Sequence, residues 1–329
     1  MALAPQSVAE ALARIAPFVH RTPVVESALL NRWLGHRILF KAECLQKIGA
    51  FKARGAMNAL LQLKEQGELP VQVAAYSSGN HAQAVAWAAQ LLGIRATIFI
   101  PRTASALKIQ ATRGYGAEVV LAQNRQEAEA LAAQAEAQGA YVLPPYDHDG
   151  VIAGQGTACL ELLEDGWQPD AIFAPCGGGG LLSGTWLAAQ LKRPQMKVFG
   201  GEPLAANDAA RSVREGKIVR FDSAPSTIAD GVVTLAVAER TFAYLQKLDG
   251  ILEVSEEAIV YWTQWITHLL KLAIEPTSAV GMAAAVQWLA TQDAPRTVAI
   301  ILSGGNCGAE AARRIWETDY LTQPPSLTH

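Results

Sequence analysis

The sequence has no charge of one sign to spare. Its 329 residues hold 27 Lys and Arg against 30 Asp and Glu, a formal net charge of -3. That balance gives no electrostatic case for nucleic acid or an acidic membrane surface as a partner. Cysteine is scarce too: Cys44, Cys159, Cys176 and Cys307 are scattered, with no C-x-x-C pair. A disulfide framework or zinc site is therefore not expected, and a reducing cytoplasm fits best. No apolar run approaches the roughly 20 residues of a membrane helix. Residues 1–19 carry Glu10 and Arg14 on a helical pattern, unlike a secretory signal. There is no long linker, low-complexity tract or internal repeat.

What the chain does have is apolar residue, half of its length. Above roughly 250–300 residues a chain usually forms more than one core, so two domains are expected. Ser7 caps a short amphipathic helix through Ile15, and a second runs over 27–34 to Gly35. Residues 37–43 alternate like a strand. From Val71 a regular beat begins, with strands at 71–76, 96–100, 117–121 and 141–143 and helices at 80–92, 105–113 and 125–138. The beat breaks at Pro144-Pro145-Tyr146-Asp147, where the chain is expected to cross between domains. It resumes with helices at 154–165 and 181–191 and strands at 171–174 and 197–200. A loop-rich region spans 202–233, then come helices at 238–248, 256–272 and 278–289, a strand at 298–302 and a helix from Cys307. Short apolar strands alternating with longer helices indicate βαβ units. The expected fold is α/β with two parallel-sheet domains, a small one over 49–145 and a large one from 1–48 and 146–329.

Gly49-Ala50-Phe51-Lys52-Ala53-Arg54-Gly55-Ala56 puts a lysine between an aromatic ring and small residues, just ahead of a helix. Either the ammonium stays in water with its stem on Phe51, or it is desolvated and serves as a Schiff-base nucleophile. Gly177–Gly180 follow a strand and precede a helix, leaving backbone N–H groups open at a positive helix end. That is an anion site, best suited to phosphate. It is neither a Walker A loop nor G-x-G-x-x-G. Ser77-Ser78-Gly79-Asn80-His81 and Ser303-Gly304-Gly305-Asn306 occupy equivalent strand-to-helix positions. Three such turns at strand ends point to one ligand crevice.

Seven segments appear together: GAFKARGA (49–56), SSGNHAQ (77–83), VIAGQGT (151–157), GGGGLLSG (177–184), TIADG (227–231), EPTSA (275–279) and SGGN (303–306). In content and order they resemble the fold-type II pyridoxal-phosphate enzymes of the serine/threonine dehydratase and serine racemase family, from Arg21 to about Asn306. The chain ends soon after SGGN, so the regulatory domain of biosynthetic threonine dehydratases is not expected.

The resemblance implies that the cofactor lies between the two domains. Lys52 would form the Schiff base with pyridoxal phosphate, and Gly177, Gly178, Gly179, Gly180 and Leu181 would hold its phosphate. Asn80 would bond the 3′-oxygen, Phe51 would lie against the ring, and Ser303 would face the pyridine nitrogen. Ser77, Ser78, Gly79 and His81 would line the substrate carboxylate site. Ser78 would be either an acid/base on the face opposite Lys52 or only a carboxylate-binding hydroxyl. Glu202, Asp208 and the carbonyl of Ala206 would hold a divalent cation, Mg²⁺, Ca²⁺ or Mn²⁺, as hard oxygen ligands.

The implied reaction is β-elimination from serine, threonine or 3-hydroxyaspartate, giving a 2-oxoacid and ammonia; serine or aspartate racemisation is the alternative. A homodimer is implied as well. Ala50 stands where many relatives carry serine, removing a hydroxyl near cofactor or substrate. With PPYDH (144–148), it tilts the reading toward the racemase-like and 3-hydroxyaspartate-dehydrating branch. His81 and His148 are expected along the crevice without a chemical duty. A non-catalytic sensor on this fold would have no use for a Schiff-base lysine.

Overall fold

The βα beat resolves into two sheets. A computed structural model describes residues 3–77 and 79–328. Among the described residues ten strands form: β1 Val24–Val25, β2 Arg37–Ala42, β3 Gln72–Tyr76, β4 Arg95–Pro101, β5 Glu118–Ala122, β6 Tyr141–Val142, β7 Ala171–Pro175, β8 Lys197–Pro203, β9 Gly250–Val254 and β10 Thr297–Leu302. The larger sheet has the order β1-β2-β10-β7-β8-β9 and the smaller β5-β4-β3-β6. All pairings are parallel except β1 with β2. The strands of the smaller sheet all fall within 72–142, and those of the larger lie on either side. β7 is buried along its whole length and β10 from Val298 onward, as expected of strands covered on both faces.

Two elements were not expected from the sequence. The helix Asp208–Glu215 lies inside the supposed loop region. Its buried face is built from Asp208, Ala209, Ala210 and Ser212, so it has no large apolar residue to announce it. β9 is a half-buried edge strand, and its sequence GILEV is too short to stand out. The helix expected from residue 154 runs instead over Asp149–Glu164, with His148 Nδ1 accepting from the Val151 N–H at 3.3 Å. Glycines at 150, 154 and 156 hide its first turns from a propensity reading.

Those glycines are where the helices meet. A Cβ on Gly154 would lie 2.7 Å from the Arg54 carbonyl oxygen and 2.7 Å from Gly55 Cα. One on Gly156 would lie 2.5 Å from the Gly184 carbonyl oxygen, and one on Gly184 2.3 Å from that of Ile152. The helix Asp149–Glu164 is thus in backbone contact with Lys52–Glu65 on one side and with Gly180–Lys192 on the other. The VIAGQGT segment is a spacer of fixed, minimal thickness between the two.

A buried ion cluster fixes the same junction. Arg54 pairs with Glu43 at 2.7 Å and with Glu161 at 2.8 Å, and Lys41 pairs with Glu161 at 2.7 Å. Arg54 also donates to Thr157 at 3.2 Å, and Lys41 to the Thr22 carbonyl at 2.8 Å. Two cations match two anions, and such a cluster survives burial only when fully paired and hydrogen-bonded.

Gly184→Ala should lower the stability to urea by about 3 kcal/mol, since the new methyl meets backbone that cannot yield. A loss below about 0.5 kcal/mol, the range of neutral surface changes, would mean that the helices separate freely.

Candidate active site

Three turns at the carboxyl ends of parallel strands, those after β3, β7 and β10, open into one crevice of about 450 Å³. Phe51, Lys52, Ser77, Gly79, Asn80, His81, Gly177–Gly180, Leu181 and Ser303 all line it. The sequence-derived cofactor and substrate residues are therefore brought together, apart from Ser78, which lies outside the described residues; Glu202, Ala206 and Asp208 do not line the crevice.

Lys52 is held from both sides. The preceding turn is joined to the last strand: the Phe51 N–H donates to the Ser303 carbonyl at 3.0 Å and the Gly305 N–H to the Gly49 carbonyl at 2.9 Å. Gly49 has φ of +70° with Asn306 Oδ1 2.9 Å from where a Cβ would stand, so only glycine fits. Lys52 Nζ donates to the Pro145 carbonyl at 2.7 Å and lies 5.2 Å from the centre of the Phe51 ring. Burial without a carboxylate partner lowers its pKa to about 8. Much of the amine is then neutral at pH 8.

The glycine loop packs its backbone against Tyr146. Gly179 has φ of +85°, and a Cβ on Gly178 would stand 2.2 Å from the Tyr146 ring. The helix Gly180–Lys192 starts there, and its first-turn N–H groups have no intrahelical acceptor. They are offered to an anion in the crevice. Tyr146 donates its hydroxyl to the Ala236 carbonyl at 3.2 Å, and burial pushes its pKa up to about 12, keeping the phenol neutral.

Asn80 sits in a small polar chain that motif reading missed. Its Nδ2 donates to both oxygens of Glu275, at 2.9 and 3.2 Å, and its Oδ1 accepts from Asn306 Nδ2 at 2.8 Å. Burial, helped by the charge of Asp230, raises Glu275 to about 7. The signal was present, since Glu275 opens EPTSA and Asn306 closes SGGN, but nothing in either segment says that they share a partner. Ser303 is buried, with its Oγ 3.3 Å from Ser278 Oγ. Ser278 donates to the Gly304 carbonyl at 2.7 Å. The Ser303 hydroxyl is thus the donor of the pair, or turns its proton into the crevice.

Other expectations are modified. His81 lines the crevice, but its Nε2 is bonded to the Leu143 carbonyl at 2.8 Å. Burial and then the charge of Lys52 lower it to about 3, so it is neutral. His148 caps a helix and bonds Tyr141 at 2.9 Å instead of lining the crevice. Ala50 is fully buried beside Gly304 and does not itself line the crevice, although Phe51 and Lys52 do.

Glu202, Ala206 and Asp208 are fully buried together at the end of β8, behind the glycine loop. Glu202 accepts from the Ala209 and Ala210 N–H groups at 3.1 and 2.8 Å. Asp208 Oδ1 accepts from Thr234 at 3.5 Å, while Oδ2 is buried with no partner. Burial, then the charge of Asp208, holds Glu202 well above the usual carboxylate range; burial raises Asp208 to about 7. Among the described residues no three His, Cys, Asp or Glu side chains cluster as metal ligands.

The family model described as "Pyridoxal-phosphate dependent enzyme" matches residues 15–304. The chain is 47% identical over 304 residues to the L-threo-3-hydroxyaspartate ammonia-lyase of Saccharomyces cerevisiae, covering 91% of this chain and 92% of that one. It is 43% identical over 306 residues to the serine racemase of Schizosaccharomyces pombe, covering 92% and 94%. Among solved structures, a threonine deaminase from T.th. has a TM-score of 0.87 at 45% identity, covering 93% of this chain and 99% of that one.

The lowered pKa of Lys52 has a direct readout. Reductive methylation of the ligand-free protein, followed at Lys52 by mass spectrometry, should reach half its maximal rate near pH 8. An ordinary lysine does so near about 10.4, and a Lys52 midpoint there would mean that the amine is solvated.

Proposed function

The chain belongs to the pyridoxal-phosphate-dependent enzyme family, and on that basis we propose that it catalyses β-elimination from a β-hydroxy amino acid. The substrates in view are serine, threonine and 3-hydroxyaspartate, and the products a 2-oxoacid and ammonia. The observation that carries the reading is Lys52, a half-buried, desolvated amine whose pKa is lowered to about 8, in a crevice that is also lined by the glycine loop.

The residues present fit the cofactor. Lys52 would hold it covalently, and Gly177, Gly178, Gly179, Gly180 and Leu181, which line the crevice, would hold its phosphate. Asn80, oriented by Glu275 and Asn306, would bond its 3′-oxygen; Phe51 would lie along the ring and the Ser303 hydroxyl would face the pyridine nitrogen. When bound, pyridoxal phosphate supplies an electron sink for negative charge at the substrate Cα.

The chain's own residues do the rest. Ser77, Gly79 and the first N–H groups of the helix Asn80–Leu92 would hold the α-carboxylate. Lys52, freed when the substrate's amino group takes its place, takes the proton from Cα as a neutral amine. The electron pair of that C–H bond becomes the Cα–Cβ double bond as the β-hydroxyl takes the proton that Lys52 removed and leaves as water. The enamine product then hydrolyses to the 2-oxoacid and ammonia. A serine at 303 does not keep a ring nitrogen protonated as a carboxylate would. The weaker sink favours prompt loss of the hydroxyl over long-lived charge at Cα.

Racemisation is the second reading, favoured by the 43% identity to a serine racemase. It needs a proton carrier on each face of Cα, and we assign the second to Ser78. Glu202, Asp208 and the Ala206 carbonyl would bind a divalent cation, Mg²⁺, Ca²⁺ or Mn²⁺, supported by two buried carboxylates and an unpartnered oxygen. Residues 49–145 would move as a small domain against the remainder, in a cytoplasmic homodimer.

Lys52→Ala should abolish both the visible absorption of the bound cofactor and all turnover; retained turnover would remove Lys52 from the reaction. L- and D-serine, L-threonine and the 3-hydroxyaspartate diastereomers, scored for 2-oxoacid and for inversion, separate the two readings. A protein that inverts without forming 2-oxoacid is a racemase. Chelation should lower the melting temperature and Mg²⁺, Ca²⁺ or Mn²⁺ restore it. Unchanged stability and activity under chelation would eliminate the cation.

A further inference from the structure

The crevice holds two cations that the elimination does not use, Lys108 and Arg125. Both reach it from the layer of the smaller sheet. Their situations differ. Arg125 Nε donates to Glu129 at 3.0 Å and its Nη1 to the Val233 carbonyl at 3.4 Å. Lys108 Nζ pairs with Asp230, and among the described residues with no other carboxylate. The Lys108 side chain is 12% exposed, whereas that of Asp230 is 58% exposed. An ion pair with one partner so open to water contributes little, and Asp230 can return to solvent when Lys108 finds a better-shielded anion.

Lys108 is also placed beside the α-carboxylate turn. The Ser77–Asn80 turn follows β3, and the Lys108 helix, Ala106–Gly114, follows β4. β3 and β4 are adjacent and parallel, with Tyr76 opposite Phe99 and the Ser77 N–H donating to the Phe99 carbonyl at 3.2 Å. An anion site and a cation thus follow neighbouring strands and line the same crevice. We propose that Lys108 selects substrates bearing a second carboxylate, binding that distal group in exchange for Asp230. The proposal rests on the elimination reading and names within it a four-carbon dicarboxylic amino acid. Serine and threonine offer Lys108 nothing, and its pairing with Asp230 then persists. Without Lys108, a distal carboxylate would enter a crevice whose Asp230 repels it, with Lys52 committed to Cα and Arg125 to its own partners.

The test uses holoenzyme of wild type, Lys108→Gln and Asp230→Asn. L-threo-3-hydroxyaspartate and L-serine are compared as substrates, and succinate and butyrate as non-reacting ligands followed by calorimetry. Wild type should prefer succinate to butyrate. Lys108→Gln should lower the ratio of kcat/KM for 3-hydroxyaspartate to that for serine by about tenfold or more, the scale of a lost charged hydrogen bond, and erase the succinate preference. Asp230→Asn, which removes the competing carboxylate, should raise both. An unchanged ratio in Lys108→Gln overturns the proposal. So does an equal fall in both variants, since the pair would then be a structural latch. If the succinate preference follows Lys108 while no substrate yields a 2-oxoacid, the elimination reading fails and the carboxylate subsite stands.

Discussion

Backbone-to-backbone packing of three helices is the constraint on which the site depends. Gly154 meets Arg54 and Gly55, while Gly156 meets Gly184, so one helix holds the Lys52 helix and the glycine-loop helix at a separation set by bare backbone. An amine and an anion cradle must be held at a fixed distance if one ligand is to span them. A contact made by long side chains could relax by changing rotamers; one made by Cα and carbonyl atoms cannot. The Arg54 cluster works beside it, two residues beyond Lys52, and locks the rotation of the same helix through its buried ion pairs.

Dryness then sets the chemistry. Burial lowers Lys52 and His81 and raises Tyr146 and Glu275, in each case favouring the neutral form. The crevice wall is accordingly poor in fixed charge near Lys52, and the charges it keeps lie at its edge, on Lys108, Arg125 and Asp230. A desolvated base beside few fixed charges suits a reaction that removes a carbon-bound proton from a polar amino acid.

The sequence disclosed the parts of this arrangement that depend on backbone or on a unique side chain. Lys52, the glycine run and the turns at 77–80 and 303–306 are short contiguous patterns, and each reports a local conformation. The parts it hid depend on side chains far apart in the chain. Glu275 matters because Asn80 reaches it across 195 positions, and Lys108 because Asp230 lies 122 positions away. VIAGQGT was recognisable as a motif, but its purpose, thinness, appears only when two other helices are laid against it. The helix Asp208–Glu215 was missed because its buried face is made of small and polar residues.

The order of the larger sheet bears on how the chain is made. β2 is among the first segments to leave the ribosome, but its parallel neighbour β10 pairs Thr297 with Arg37, about 260 residues later. At ordinary rates of synthesis that is a wait of tens of seconds. Throughout it, Ile38, Leu39 and Phe40, all destined for full burial, have only the two-residue β1 at their side. A nascent chain with that profile is a customer for chaperones that shield apolar strands, and its yield should depend on them more than its final stability suggests.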